Sequence, residues 1–254
     1  MKKINKILNI VLIASTILVL VCLWFVGAIV VDESLILPSP VEVVSKAFIL
    51  FGEGDFWVAF LDTLGRSVVS FLISITLALA LALIIHFYAK SGVIIQTLIS
   101  ILRVVPTIAV ILILLLWTNS KVASMVVTIL VILPTSFSMI RMMLGKIDNN
   151  VINMCKVYGV NKKNILFKYV FPLTLPNFFE IMGNALSLNI KLIVASEVLA
   201  GTAKSIGNMM SESKIYFETS RLFALVLIMM VVALFIEMIF NLISERKRKK
   251  YAID

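Results

Sequence analysis

Long apolar stretches without a single charged residue recur along the chain. A helix needs about 20 apolar residues to cross the hydrocarbon core of a bilayer, and several of these stretches reach that length. The charge-free stretches are residues 7–31, 67–89, 104–120, 122–140 and 222–236. With a more polar stretch near residue 190, they predict an all-α, polytopic membrane protein with about six transmembrane helices. The predicted spans are 7–31, 63–88, 92–117, 121–143, 177–200 and 221–244.

Composition favours a membrane protein over any soluble class. Of the 254 residues, 61% are hydrophobic, and the mean hydropathy is +1.10, which is unlike a soluble domain. The run after the N-terminal MKKINK is too long for a signal sequence and lacks a small-residue cleavage site, so we interpret it as a retained first span. Cys22 and Cys155 fall on opposite sides of the predicted topology, which implies no disulfide.

The distribution of basic residues predicts the orientation of the spans. With the N-terminus in the cytoplasm, 15 of the 23 Lys and Arg residues fall inside and six outside, as the positive-inside rule expects. An even number of spans returns the basic C-terminus to the cytoplasm, where it can meet anionic lipid. Membrane orientation therefore explains the net charge of +9, and we predict no nucleic-acid partner. Segment 32–62 is then extracytoplasmic, with a short surface helix from Val41 to Phe51, and segment 144–176 is cytoplasmic.

The cytoplasmic segment begins with the features of a short amphipathic helix. Residues 148–150 carry side chains that can cap a helix. Apolar side chains then recur at the i, i+3, i+4, i+7 spacing of one helical face. They are Val151, Met154, Cys155 and Tyr158. Gly159 follows, and glycine is the residue best able to turn the chain through a positive φ.

A second short, basic helix is predicted after Gly159. Asn161 can cap it, and Pro172 and Pro176 are expected to limit its length. The result is a helix–glycine–helix hook, residues 149–172, with two interpretations. A basic amphipathic helix can lie on anionic lipid, whereas a rigid hook can dock into a groove of another protein. The glycine turn and the proline exit favour docking, because lipid binding needs no fixed hook.

Short motifs in order along the chain resemble the permease subunits of ABC importers. Gly159 and the Tyr-Val-Phe-Pro at 169–172 resemble the cytoplasmic loop of that family, whose pattern is roughly Glu-Ala-Ala, three residues, Gly, nine residues, Ile-x-Leu-Pro. The Glu-Ala-Ala positions hold Asn153, Met154 and Cys155, so the acidic residue is absent. Further resemblances are Leu-Pro-Ser-Pro at 37–40, Leu-Gly-Arg at 64–66, Leu-Arg-Val-Val-Pro at 102–106, Ser-Glu at 196–197 and Ile-Gly at 206–207. They point to the branch that serves alkanesulfonates, taurine, nitrate and some vitamin precursors.

The resemblance implies a permease in the cell membrane that is driven by other proteins. The hook would be the coupling helix seated in a cytoplasmic ABC ATPase. Its candidate contact residues are Lys156, Tyr158, Gly159, Lys162, Lys163, Tyr169, Phe171 and Pro172. The chain has no G-x-x-x-x-G-K-[ST] phosphate loop, so the ATPase would bind ATP and Mg²⁺, and this chain no cofactor. The branch also implies an extracytoplasmic solute-binding protein and a permease homodimer.

Arg103 and Pro106 are candidates for the solute path. A charged side chain at the centre of a span costs roughly 2.5–3.5 kcal/mol on insertion scales, so each one suggests a function. Pro106 removes a backbone donor three residues after Arg103, and the resemblance makes this a kinked helix that lines the path. Alternatively, Arg103 reaches the cytoplasmic interface by snorkelling.

The predicted fifth span carries further candidates for the path. Four polar residues, spaced by 4, 3 and 4 positions, share one helical stripe, and Glu197 lies on a different face. The four are Glu180, Asn184, Ser187 and Lys191. The stripe either lines the solute route, with Lys191 attracting an anion, or supplies hydrogen bonds between helices. His86 is the single histidine, so no metal site is expected.

Two other classes of function are less consistent with the sequence. An integral membrane enzyme needs a catalytic constellation at membrane depth, and there is one His, no paired intramembrane Asp and no Ser–His arrangement. An ion-coupled secondary carrier usually contains an inverted repeat, and none is detected. The sequence therefore predicts a non-catalytic transport subunit, with these two classes as the alternatives.

Overall fold

The computed structural model describes residues 2–251, without the side chains of residues 2–10, 13, 87, 89, 149, 156 and 162. This part of the chain is almost entirely helical, which confirms the predicted all-α class. The α-helices are α1 (Lys2–Val31), α2 (Pro40–Leu50), α3 (Gly54–Phe87), α4 (Gly92–Val104), α5 (Thr107–Trp117), α6 (Ser120–Gly145), α7 (Asn149–Val157), α8 (Lys162–Ile165), α9 (Phe171–Ala200), α10 (Ile206–Ile215) and α11 (Thr219–Lys250). A 3₁₀ turn, Ala89–Ser91, precedes α4, and a π-helical segment, Leu166–Val170, joins α8 to α9.

Five helical stretches among the described residues are long and apolar enough to cross a membrane. A sixth is obtained if α4 and α5 are counted together, in agreement with the predicted number. The five are Ala14–Val31, Gly54–His86, Ser120–Gly145, Lys163–Ala200 and Thr219–Lys250.

The segment predicted as the third span, 92–117, is two helices. α4 and α5 meet at an angle of 90°. Pro106 lacks a backbone N–H, and Val105 before it is extended, with φ −64° and ψ 124°, as is usual before proline. The sequence indicated the kink but not its size, and a bend this large makes 92–117 a broken or re-entrant segment.

The core of the bundle is formed by α3, α6, α9 and α11. Small residues allow these helices to approach closely, which matters in a bilayer because lipid offers no hydrophobic drive for helix association. At Gly183 of α9, an added Cβ would lie 2.6 Å from Phe240 Cβ of α11. This glycine therefore fixes the distance between two core helices.

The N-terminal helix α1 lies at the periphery of the bundle. None of the residues from Ala14 to Val31 is buried, which suits an apolar helix surrounded by lipid. Trp24 attaches it to the rest of the chain: its Nε1 donates to Pro38 O at 3.1 Å, and its ring stacks on Phe223 at 6.1 Å between centroids.

The predicted surface helix after Pro40 is present as α2. Ser39 Oγ accepts from Glu42 N, and Glu42 Oε2 accepts from Ser39 N, which completes a capping box. The side chains that face the core are Val43, Ala47 and Leu50, all buried. The apolar face of this amphipathic segment therefore packs against α11.

The helix that leaves the cytoplasmic segment does not stop at its prolines. Pro172 lies in the first turn of α9, where a missing N–H is tolerated, and Pro176 lies inside α9. In the π-helical segment before them, Phe171 N–H bonds to Leu166 O, five residues back, the spacing of a π-helix. The expectation that Pro172 and Pro176 limit the second hook helix is therefore wrong, because helical backbone continues from Lys162 to Ala200.

Candidate coupling and translocation sites

The hook contains a glycine turn between α7 and α8. Gly159 has φ +70°, which favours glycine. Tyr158 N donates to Met154 O at 3.1 Å, and Val160 N donates to Cys155 O at 2.9 Å. The second bond, between the second residue beyond the helix cap and the third-last helical residue, is that of a Schellman motif. The turn is thus held by its own backbone.

The start of the second hook helix also matches the sequence. Asn161 Oδ1 accepts from Lys163 N at 3.1 Å, as predicted for a capping residue. Lys163 is exposed, and Tyr169 and Pro172 are half-buried. The side chains of Lys156 and Lys162 lie outside the described residues. The backbone of the whole hook is helical except at the glycine turn.

Several apolar side chains of the hook are exposed. Met154 and Tyr158, on the predicted apolar face, are 54% and 80% exposed, whereas Val151 and Cys155 are half-buried. Other apolar side chains of the hook are also more than 45% exposed, among them three that belong to or flank the candidate contact. These three are Val157, Phe167 and Phe171, of which the last two are 6.4 Å apart between ring centroids. An exposed apolar patch of this kind is typical of a surface that contacts a partner.

The four residues of the predicted polar stripe of α9 differ in their exposure and contacts. Lys191 is exposed, Asn184 is half-buried and Ser187 is buried. Glu180 lies at the hook end of the helix, with Oε2 3.4 Å from Arg248 Nη2 of α11. Among the described residues, Lys191 has no ion-pair partner. It is therefore a cation on an accessible face of a largely apolar helix.

Arg103 connects the bent segment to α6. Its Nη2 donates to Pro134 O at 3.2 Å and also to Ser138 Oγ. Pro106, at the start of α5, is exposed. The guanidinium thus joins α4 to α6 close to the 90° bend, and the proline lies at the bend itself.

Glu197 lies in a buried network away from Lys191. Arg66 Nε and Nη2 approach Glu197 Oε1 at 2.9 and 2.8 Å, and Thr63 Oγ1 donates to Glu197 Oε2 at 2.9 Å. Gly207 N also donates to Glu197 Oε2, at 3.4 Å. We call these four residues the Glu197 network. It joins α3, α9 and α10, and the structure does not bring Glu197 together with the candidate path residues.

Sequence reasoning missed two polar contacts between α3 and α9. One is the Arg66–Glu197 pair, whose signal was a pair of opposite charges in two largely apolar helices. The other is Asn189, which is fully buried and whose Oδ1 accepts from Ser67 Oγ at 2.8 Å and Ser70 Oγ at 3.2 Å. Because a buried polar group needs a partner, both contacts fix the register of the two helices.

Comparison with known proteins identifies the architecture. The family model described as binding-protein-dependent transport system inner membrane component matches residues 74–249. The chain belongs to this family. A relative, the putative aliphatic sulfonates transport permease protein SsuC of Bacillus subtilis (strain 168), is 25% identical over 92% of this chain and 84% of its own length. A probable ABC transporter permease protein of Brucella melitensis biotype 1 is 22% identical over 84% of this chain and 87% of its own length.

A solved structure shares the fold. The inward-facing MetNI methionine ABC transporter matches with a TM-score of 0.63 and 16% identity, over 76% of this chain and 97% of the matched chain. The family membership makes this chain a permease subunit of an ABC importer, located as a multi-pass protein in the cytoplasmic membrane. It is a non-catalytic subunit whose family works with a separate ATPase and a binding protein.

Proposed function

We propose that this permease passes a small anionic solute of the sulfonate type, with taurine, nitrate and vitamin precursors as the other solutes of the branch. The sulfonate assignment is supported by the name of the Bacillus subtilis relative. It is also supported by Lys191, an accessible cation without an ion-pair partner among the described residues. A cation on a membrane helix is costly unless it faces protein or water, and an anionic solute would use it.

The hook, residues 149–172, is proposed to couple the permease to its ATPase. The observation that carries this proposal is the exposed apolar patch of Met154, Val157 and Tyr158 beside a backbone-stabilised glycine turn. A rigid helix with an exposed apolar face can seat in a groove of a partner. The neighbouring candidates Lys163, Tyr169, Phe171 and Pro172, with Lys156 and Lys162, belong to the same proposed contact.

The solute path is proposed to run beside α9 and the bent segment α4–α5. The accessible or half-buried members of the predicted set are Arg103, Pro106, Glu180, Asn184 and Lys191. Because all of these groups except Asn184 are exposed in the single chain, a second copy of the permease is proposed to face them across the path. The six spans are proposed with both termini and the hook in the cytoplasm and segment 32–62 outside.

The proposal is tested with the permease co-expressed with its ATPase and reconstituted with its binding protein. ATP hydrolysis is measured against a panel of alkanesulfonates, taurine, nitrate and vitamin precursors, and stimulation by a sulfonate is expected.

Tyr158→Ala is expected to weaken retention of the ATPase during purification, since an exposed aromatic anchor at an interface contributes about 2 kcal/mol or more. Tyr216→Ala, an equally exposed tyrosine outside the hook, is the matched control. Unchanged ATPase retention by Tyr158→Ala would contradict the coupling role.

A further inference from the structure

A cavity of about 420 Å³ opens at the hook end of the bundle. It lies between the end of α3, the start of α4 and the end of α6. Its polar lining is His86, Gln96 and Arg141, and its apolar walls include Ile85 and Leu144. None of these residues belongs to the proposed coupling contact or to the proposed solute path.

The cavity offers positive charge without a matching carboxylate. Arg141 is half-buried, and no hydrogen bond or ion pair joins it to another described residue. No Asp or Glu occurs among the described residues that line the cavity. A partly buried guanidinium is costly without an anion, and its planar fork suits phosphate oxygens. Arg141 therefore lacks the counter-ion that such a position usually has.

The N-terminus of α4 adds to this positive potential. Gly92 begins α4 and lines the cavity, and the side chain of Ser91 makes no capping bond to the first turn. Backbone N–H groups at a helix N-terminus favour anions. Gln96 can supply a further donor, because its Nε2 lies on the same side, 3.6 Å from where a Cβ on Gly92 would be.

The surroundings of the cavity are suited to an amphiphile. Tyr88, Val93 and Ile94 are all more than 70% exposed, and Val93 also lines the cavity. These apolar side chains can contact acyl chains while the polar groups hold a charged head. Basic pockets between membrane helices are known to take anionic headgroups.

We propose that this cavity, formed by His86, Gln96, Arg141 and the N-terminus of α4, binds the phosphate of an anionic phospholipid headgroup. This goes beyond solute transport and assigns the permease a specific lipid site. Free phosphate shares the recognised chemistry, so the experiment separates the two sources.

The test is native mass spectrometry of the purified full-length chain in detergent. The probes are dioctanoyl phosphatidylglycerol, dioctanoyl phosphatidylcholine and inorganic phosphate. Arg141→Gln removes the charge, and Gly145→Leu adds a large side chain to the cavity lining, at a position where a Cβ meets no atom within 4 Å. Lys146→Gln is the matched control, since it removes an exposed cation next to the cavity lining.

The expected result is binding of phosphatidylglycerol in preference to phosphatidylcholine. Arg141→Gln should weaken it by about tenfold, the effect of one charge-assisted hydrogen bond. Gly145→Leu should also weaken it, by adding bulk to the lining, whereas Lys146→Gln should not. If inorganic phosphate binds with the same dependence and displaces the lipid, the site stands and its ligand is the free anion. If Arg141→Gln does not yield folded protein, Gln96→Leu replaces it. Equal lipid binding by the wild type and the cavity variants overturns the proposal.

Discussion

At the scale of single residues, Gly207 shows how closely α10 approaches α9. A Cβ added at Gly207 would clash with Glu197 Cβ and lie 2.7 Å from Val198 N. The second atom belongs to the backbone of α9, so it cannot turn aside as a side chain could. Glycine is required here by the space available rather than by its backbone conformation.

We therefore expect Gly207→Ala to destabilise the permease by about 1–3 kcal/mol, the usual cost of overpacking. The measurement is the thermal unfolding midpoint of the purified chain in detergent. Gly65→Ala is the matched control, because a Cβ at Gly65 meets no atom within 4 Å, and it should leave the midpoint nearly unchanged. Equal midpoints for wild type and Gly207→Ala would contradict the close approach.

The Glu197 network provides a second prediction for single residues. Arg66→Met alone should lower the free energy of unfolding by about 3–5 kcal/mol, because it leaves a buried carboxylate without its cation. Adding Glu197→Gln to Arg66→Met should restore part of that loss, since the uncompensated charge is removed. A double-mutant cycle on thermal or denaturant unfolding measures this coupling. Additive losses would show that the two side chains do not interact.

At the scale of elements, the apolar pattern predicted most of the helices but not their continuity. The stretches that became α1, α3, α6 and α11 are visible because a bilayer demands long uncharged runs. The presence of a proline did not by itself predict whether a helix would end. Pro106 ends a helix and bends the chain by 90°, whereas Pro172 and Pro176 stay within helical backbone. The proline itself is the same, and the difference depends on whether neighbouring turns take up the missing bond.

The candidate functional residues were likewise only partly predictable from the sequence. The hook was predictable because its signals are local: the cap at Asn161, the positive φ at Gly159 and the spacing of the apolar residues. The Glu197 network was not, because its ion pair joins residues 131 positions apart. Only tertiary packing brings Arg66 to Glu197, and the residue spacing within one helix cannot predict a contact between two helices.

The glycine turn of the hook leads to a prediction for an element. Gly159→Ala should cost about 1–2 kcal/mol locally, because L-residues disfavour the left-handed conformation. We expect the membrane helices to remain folded while retention of the ATPase decreases. Gly54→Ala is the matched control, since Gly54 has no positive φ and a Cβ there meets no atom. Co-purification of the ATPase is the readout, and undiminished retention with Gly159→Ala would show that the turn is dispensable.

At the scale of the whole molecule, the proposed topology places the hook and helix α10, which contains Lys214, on opposite sides of the membrane. With Cys22 and Cys155 replaced by Ser, single cysteines at Lys163 and Lys214 report the two sides, since both lysines are exposed. A membrane-impermeant thiol reagent added to intact cells should label Lys214→Cys and not Lys163→Cys. Both should react after the cells are opened. Labelling of Lys163→Cys from outside would place the hook away from any cytoplasmic ATPase.

The proposed pairing of two permease copies is tested at the accessible face of α9. Lys191 and Ala195 are exposed on this face of the single chain, and a cation there is too costly to face lipid. A second copy can cover the face and leave a wet path between the two chains. In the same cysteine-free background, Ala195→Cys should therefore form a disulfide-linked dimer on oxidation in the membrane. Val226→Cys, on an exposed and wholly apolar part of α11, should not, because lipid suffices to cover it. Cross-linking through Val226→Cys alone would show that two copies meet through α11 and not through α9. That result would contradict the placement of Lys191 at a path between the two chains.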